Sequence, residues 1–275
     1  MTPWDLRIDR ARTMAAPHAN AAAMLAFYAG LAEIQRTLVA AAGASQPASA
    51  DAFAETVDVQ GAARQARSLL SWLRGSAPEP LARASVDAAS LTDDEWADFM
   101  RRRLAQVGAE GPLGFLVEAL LQPFAEAAAQ RWLGRRIPLL AGTTATARAT
   151  DGGDGRLACC PVCGSAPVAA ALREEGQGAK RTLVCSLCFT EWDFLRVVCP
   201  ACDEQRFEAL PVYTAETIDH ARIDACDTCR VYVKTVDLTK DGLAVPVVDD
   251  VATVSLDLWA REAGYRRLYP NLLRL

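Results

Sequence analysis

The chain has 275 residues, 51% of them hydrophobic and 23% charged, with a net charge of −5, a sequence pI near 5.2, nine Cys and two His. This globular balance excludes wholesale disorder, and the acidic charge argues against a protein whose main task is holding nucleic acid phosphates. Two histidines exclude a site built on several of them, and the longest charge-free apolar stretch of the N-terminal half, residues 21–32, is too short to span a bilayer.

The first residues, Met1-Thr-Pro-Trp-Asp-Leu-Arg-Ile-Asp-Arg10, show no apolar signal core and no twin-Arg motif, which implies a cytoplasmic protein. From Pro17 to about Ala42 an Ala-rich stretch places Leu25, Tyr28, Leu31, Leu38 and Val39 at helical spacing and stops at Gly43. A second helix ends near Trp72, before Gly75 and Pro78. Thr92-Asp-Asp-Glu95 fits a capping box that opens a helix with Trp96, Phe99 and Leu104. The following run Arg101-Arg102-Arg103 reads as a solvated helix face. Pro112 opens a last stretch carrying Phe115, Leu116, Leu120 and Trp132, with a kink or break expected at Pro123. Residues 1–140 are therefore read as an all-α helical domain of bundle type. Residues 141–157, rich in Thr, Ala and Gly, read as a linker and lack the Lys-Ser/Thr ending of a phosphate loop.

All nine cysteines fall between Cys159 and Cys229. Eight form four Cys-x-x-Cys pairs, Cys160/Cys163, Cys185/Cys188, Cys199/Cys202 and Cys226/Cys229. One tight turn aims two thiolates at one point, and two such turns make a tetrahedral four-sulfur shell suited to zinc or iron. The intervening segments, 21 and 23 residues, are long enough for antiparallel hairpins, and Cys160-Pro-Val-Cys-Gly164 repeats as Cys199-Pro-Ala-Cys-Asp203. Two copies of one module follow, over residues 158–196 and 197–240, with sequential pairing preferred to a cross-brace. Gly164, and Asp203 in its place, suit positive φ after the second ligand. Cys159 is expected as a buried or half-buried neighbour of the site, not a ligand. Strands are expected at Lys180–Val184, Glu191–Val198, Arg206–Tyr213 and Arg230–Val236, with Trp192, Phe194, Tyr213 and Tyr232 covering the sites. His220 reads as a turn histidine. Residues 241–275 carry a C-terminal helix, Asp249 to Ala263, ended by Gly264, and a tail. The fold class is thus α+β multidomain, a helical domain followed by two rubredoxin-like, zinc-ribbon-type modules with four cysteine ligands each.

Cys160-Pro-Val-Cys-Gly-Ser, Cys185-Ser-Leu-Cys-Phe-Thr-Glu-Trp192, Cys199-Pro-Ala-Cys202, Cys226-Asp-Thr-Cys-Arg-Val-Tyr-Val-Lys-Thr235 and Ala263-Gly-Tyr265 together resemble the formate dehydrogenase accessory protein family, FdhE. The resemblance covers about residue 158 onward. It implies two metals per chain, iron or zinc, on the eight paired cysteines, and no enzymatic turnover. It also implies a cytoplasmic part in producing active respiratory formate dehydrogenase, through contact with the catalytic subunit, and allows a homodimer. Trp192, Arg196 and Tyr232 are the expected partner anchors, since aromatic residues and Arg dominate interface energetics. The rival class is an iron-dependent electron-transfer or redox protein with two four-cysteine sites.

Overall fold

The structure is a computed structural model and describes residues 1–41, 52–106, 111–140 and 158–274. The expected linker, 141–157, and the expected helix stop at Gly43 lie outside the described residues.

Helix α1 (Pro3–Ala15) opens on a capping box in which the Thr2 hydroxyl accepts from the Asp5 amide and the Asp5 carboxylate accepts from the Thr2 amide. Sequence reading missed it because Trp4, Ile8, Ala11 and Met14 make a narrow apolar stripe among charges, yet all four are buried. Helix α2 (Ala22–Ala41) begins five residues later than expected, after a 3-10 turn at Ala19–Ala21. The bundle continues through α3 (Val59–Arg64), α4 (Ala66–Ser76), α5 (Glu79–Asp87), α6 (Asp93–Leu104) and α7 (Gly111–Leu140). The Thr92 capping box at the start of α6 is present in both directions. Arg101 and Arg102 face solvent, but Arg103 does not: it is buried, and its Nε donates to Glu118 Oε1 at 2.7 Å.

Helix α7 runs through Pro123 without the expected break. Proline has no N–H for the carbonyl of Ala119 four residues back. The side chain of Gln35, on α2, supplies that donor from outside the helix, its Nε2 lying 2.7 Å from the Ala119 oxygen. A position that would disrupt an isolated helix thus becomes an interhelical hydrogen bond.

After residue 158 the chain forms a seven-stranded sheet among the described residues. The hairpin β1 (Pro167–Glu175) and β2 (Gly178–Cys185) takes β3 (Glu191–Phe194) on its outer edge. The second copy gives β4 (Val212–Ala215), β5 (Ile218–Cys226) and β6 (Val231–Asp237), all antiparallel. A parallel pairing of β1 with β6, Ala170 opposite Thr235 to Leu172 opposite Asp237, joins the copies in the order β3-β2-β1-β6-β5-β4. The short β7 (Arg266–Arg267) adds parallel to β6. The central strand β1 is buried from Pro167 to Leu172, as a strand covered on both faces requires. Most of the expected Arg206–Tyr213 strand is instead a 3-10 turn and loop, with pairing only from Val212.

The expected C-terminal helix is two helices, α8 (Pro246–Ala252) and α9 (Val254–Glu262). The break falls at Thr253, whose hydroxyl bonds back to the Asp249 carbonyl at 2.7 Å. Gly264 follows α9 at φ 79°, the left-handed stop. One apolar core runs from Leu31, Trp96, Phe115 and Leu116 in the bundle to Leu183, Leu187 and Trp192 around the first cysteine quartet. A second joins Trp4, Ile8 and Leu25 to Val168, Val184, Val248 and Val251. A third packs Ile218, Ile223 and Tyr232 of the second hairpin against Leu256 and Ala260 of α9.

Replacing Gln35 with Leu leaves the Ala119 carbonyl unpaired in the interior. We expect a loss of about 1–3 kcal/mol in urea unfolding. In a Pro123→Ala background the new N–H restores the helical bond, so the same substitution should cost clearly less. An equal cost in both backgrounds would refute this account of Pro123.

Candidate metal centres

Each Cys-x-x-Cys pair sits in a tight turn at the end of a strand or the start of a hairpin. In the first turn the Cys160 amide donates to the Ser165 carbonyl at 2.9 Å, and the Gly164 amide donates to the Cys160 carbonyl at 2.9 Å. The third turn repeats this with Cys199 donating to Glu204 at 2.9 Å and Asp203 to Cys199 at 3.0 Å. Backbone amides also point at sulfur: Val162 to Cys160, Leu187 to Cys185 and Ala201 to Cys199, each at 3.4 Å. These donors stabilise thiolates, the ligand form of cysteine.

The residue after the second cysteine has positive φ in all four turns: Gly164 at 74°, Phe189 at 55°, Asp203 at 61° and Arg230 at 57°. The sequence marks the first and third through Gly and Asp. It hides the other two, because Phe and Arg rarely adopt that conformation and are held there by their surroundings. The Phe189 ring lies under the Arg7 guanidinium, 4.0 Å away, with Trp4 edge-on. Arg230 bonds to Asp227 at 2.8 Å and to the Ala263 carbonyl at 2.6 Å, and its guanidinium lies 3.8 Å from the centre of the Tyr265 ring.

The turns converge sequentially. Cys160, Cys163, Cys185 and Cys188 form one quartet and Cys199, Cys202, Cys226 and Cys229 another, with all sulfurs of a quartet within 4.8 Å of one another. Cross-turn sulfur separations are 3.7 Å for Cys160–Cys188, 3.3 Å for Cys163–Cys185, and 3.7 Å for both Cys199–Cys229 and Cys202–Cys226. A tetrahedron with metal–sulfur bonds of about 2.3 Å has edges of about 3.8 Å, so the donor sets fit a four-coordinate soft or borderline cation. Bound there, zinc would close the shell without redox chemistry, whereas iron would add a one-electron couple.

The quartets differ in setting. Every sulfur ligand of the first is buried, and the helical region reaches it directly. Gln106 Nε2 donates to the Cys163 carbonyl at 3.1 Å, Gln122 Nε2 to the Ser186 carbonyl at 2.9 Å, and Arg103 Nη1 to Ser165 Oγ at 3.2 Å. In the second, Cys202 and Cys229 are half-buried. Burial pushes the Cys229 thiol up to about 11 and raises Cys199 as well. Cys159 is exposed, not buried as expected, and lies outside both quartets.

Two of the three expected partner anchors point inward. Trp192 is 5% exposed in the core beside the first quartet, and Tyr232 is 3% exposed with its hydroxyl donating to Asp257 at 2.8 Å. A large aromatic side chain is worth more in the interior than at the surface, which is why Trp192 on the edge strand β3 and Tyr232 on β6 both turn inward. Arg196 is exposed, and its Nη1 donates to the Ala179 carbonyl at 3.0 Å.

His220 belongs to β5 and is buried, not placed in a turn. It meets Asp241 and Asp249, a set that could hold a cation. The Arg10 guanidinium is bonded to both carboxylates and already supplies the positive charge.

The FdhE central-domain model matches residues 159–196 and the FdhE C-terminal-domain model residues 197–274, one quartet in each. The chain belongs to the FdhE family. An FdhE homolog of Aquifex aeolicus is 41% identical over 116 residues, covering 42% of this chain and 41% of the relative. One of Pseudomonas putida is 37% identical over 126 residues, covering 43% and 39%. The aligned stretch thus spans about two fifths of the length of these FdhE homologs. One of Yersinia enterocolitica is 31% identical over 204 residues, covering 72% of this chain and 60% of the relative. The crystal structure of the FdhE protein from Pseudomonas aeruginosa superimposes with a TM-score of 0.72 at 24% identity, covering 98% of this chain and 95% of that one, which shows a shared fold.

Two expectations follow for this FdhE chain. A chelator should strip the half-exposed second quartet first, leaving one metal per chain that is released much more slowly; elemental analysis against time checks this, and a single-phase loss of both metals would contradict it. The second concerns pH. The hydrogen bond to Asp249 raises the His220 pKa above the ordinary 6.5, although burial opposes it. A raised folded pKa gives stability that is complete below about pH 6.5 and lost as pH rises through the folded value. His220→Gln should therefore cost more stability at pH 5.5 than at pH 8.5; an equal cost would show that the imidazole does not titrate with folding.

Proposed function

We propose that this protein is an accessory protein in the production of active respiratory formate dehydrogenase, binding the enzyme's catalytic subunit in the cytoplasm and carrying out no turnover of its own. The observation that carries the reading is the coincidence of the two FdhE domain matches with the two four-thiol quartets. Four protein ligands fill each tetrahedral shell and leave no open position for a substrate, which supports a binding role over metal-assisted hydrolysis. Among the described residues no helix is long and apolar enough to cross a membrane, which is consistent with action away from the bilayer.

The contact surface proposed here lies around the second quartet. Leu195 and Val197 flank Arg196 and are exposed, and Phe207 is 73% exposed in the loop before β4. The turns at Cys199–Cys202 and Cys226–Cys229 fix these loops, so docking would cost little ordering entropy. Solvent-facing apolar side chains beside Arg196 make better anchors than Trp192 and Tyr232, whose surfaces are already buried.

A pull-down of the unexported catalytic subunit tests both levels. Wild type should retain it, and Phe207→Asp should weaken retention by about tenfold or more while leaving the thermal unfolding and metal content of the accessory protein unchanged. No retention by wild type would sink the accessory reading. Retention unchanged in Phe207→Asp and Leu195→Asp would move the contact elsewhere. Iron as the resident metal, with a reversible one-electron couple, would favour the electron-transfer alternative.

A further inference from the structure

The first quartet takes its sulfurs from residues 160–188, yet the turn that delivers the last of them is not closed by its own neighbours. Phe189, directly after Cys188, stands at φ 55°. A residue with a Cβ enters that region against steric crowding that glycine does not meet. In the first and third turns Gly164 and Asp203 satisfy the requirement locally. In the fourth, Arg230 is held by Asp227, Ala263 and Tyr265, all within the C-terminal region. Phe189 is held from outside the ligand-bearing segment.

The holding group is Arg7 of α1. Its guanidinium carbon lies 4.0 Å from the centre of the Phe189 ring and 4.6 Å from that of Trp4, and the two rings meet edge-on with centres 6.2 Å apart. A desolvated cation against aromatic faces is attracted more strongly than one in water. The cation is itself fixed: both Arg7 Nη atoms donate to the Glu126 carboxylate of α7, at 2.8 and 2.7 Å, and both side chains are buried. A two-point pair of this kind sets the guanidinium plane. Because the ring is carried on the Cα of residue 189, the backbone rotation that closes the turn is the same motion that seats the ring on Arg7. Free energy gained by seating the ring is therefore added to retention of the metal, by linkage.

We infer that α1 is part of the first metal site. Arg7 is a positioning residue that acts through Phe189 to hold the Cys185–Cys188 turn closed, so the first quartet retains its metal fully only when α1 and α7 are packed in place. The second quartet has no such dependence, since the groups holding Arg230 belong to its own region. The inference applies to zinc or iron alike and does not rest on the accessory reading.

The test uses the full chain loaded with zinc and shown to hold two metals. Excess chelator is added, freed cysteines are alkylated, and peptide mass spectrometry follows each quartet separately. Phe189→Leu keeps the crowded backbone and loses the ring, so release from the first quartet should quicken about fivefold or more with the second unchanged. Phe189→Gly closes the turn unaided and should release within about twofold of wild type. Arg7→Met combined with Glu126→Gln removes both charges together and should quicken release from the first quartet about tenfold. Adding Phe189→Gly to that pair should restore release to within about threefold of wild type, which a mere loss of bundle packing would not allow. Phe189 is only half-buried, so its two variants carry the test even where the paired variant folds poorly. Wild-type release from Phe189→Leu, equally fast release from Phe189→Leu and Phe189→Gly, or equal quickening of both quartets would overturn the inference.

Discussion

Four sulfurs that must meet at one point are the constraint on which residues 158–274 depend. Each pair can turn inward only if the residue after its second cysteine enters the left-handed region, and all four do. Two of the four, Phe189 and Arg230, would resist this unaided. Arg7 and Trp4 from the first helix hold Phe189, and Asp227, Ala263 and Tyr265 hold Arg230. Distant parts of the chain are thereby recruited to complete the turns. The helical bundle does so at the first quartet and the C-terminal segment at the second.

The same economy explains the residues that flank the cysteines. Tyr232, Lys234 and Thr235 lie on β6, where their side chains reach inward. Lys234 is wholly buried and bonded to Asp257 and to the Asp250 carbonyl, while Arg267 bonds to both Asp250 and Asp257. Two cations and two carboxylates, with Tyr232 and Asn271 completing the hydrogen bonds, tie the sheet to α8 and α9. Removing one member would strand a buried charge, which is strongly destabilising, so the motif is fixed by mutual need and not by exposure to a partner. Thr190-Glu191-Trp192 behaves alike: Thr190 Oγ1 lies 3.1 Å from the Cys188 sulfur, Glu191 pairs with Arg173, and Trp192 fills the core.

What was legible in the sequence follows from how local each signal is. The four cysteine turns, their sequential convergence and the Thr92 cap are encoded within a few residues and could be read directly. The α1 stripe was obscured by intervening charges. The continuity of α7 through Pro123 depended on Gln35, far away in the chain, and no local pattern announces it. The parallel pairing of β1 with β6 unites two repeats that look self-contained, and it rests on contacts 65 residues apart, Ala170 with Thr235. The burial of Trp192 and Tyr232 was only half legible: aromatic residues beside a metal turn read equally well as anchors or as core, and only the packing of the bundle and of α9 decides.

The first quartet and the helical bundle form one cooperative unit, sharing a core and three direct hydrogen bonds, while the second quartet organises its own hairpin and α9 and meets that core at Val231, Val233 and Cys229. Amide hydrogen exchange on Cys185→Ser and Cys226→Ser tests it most directly. Cys185→Ser should lose protection in α6 and the first half of α7 as well as in β1–β3, whereas Cys226→Ser should lose it only in β4–β6 and α9. Full protection of α6 and α7 in Cys185→Ser would contradict the account and make the helical bundle an independent domain.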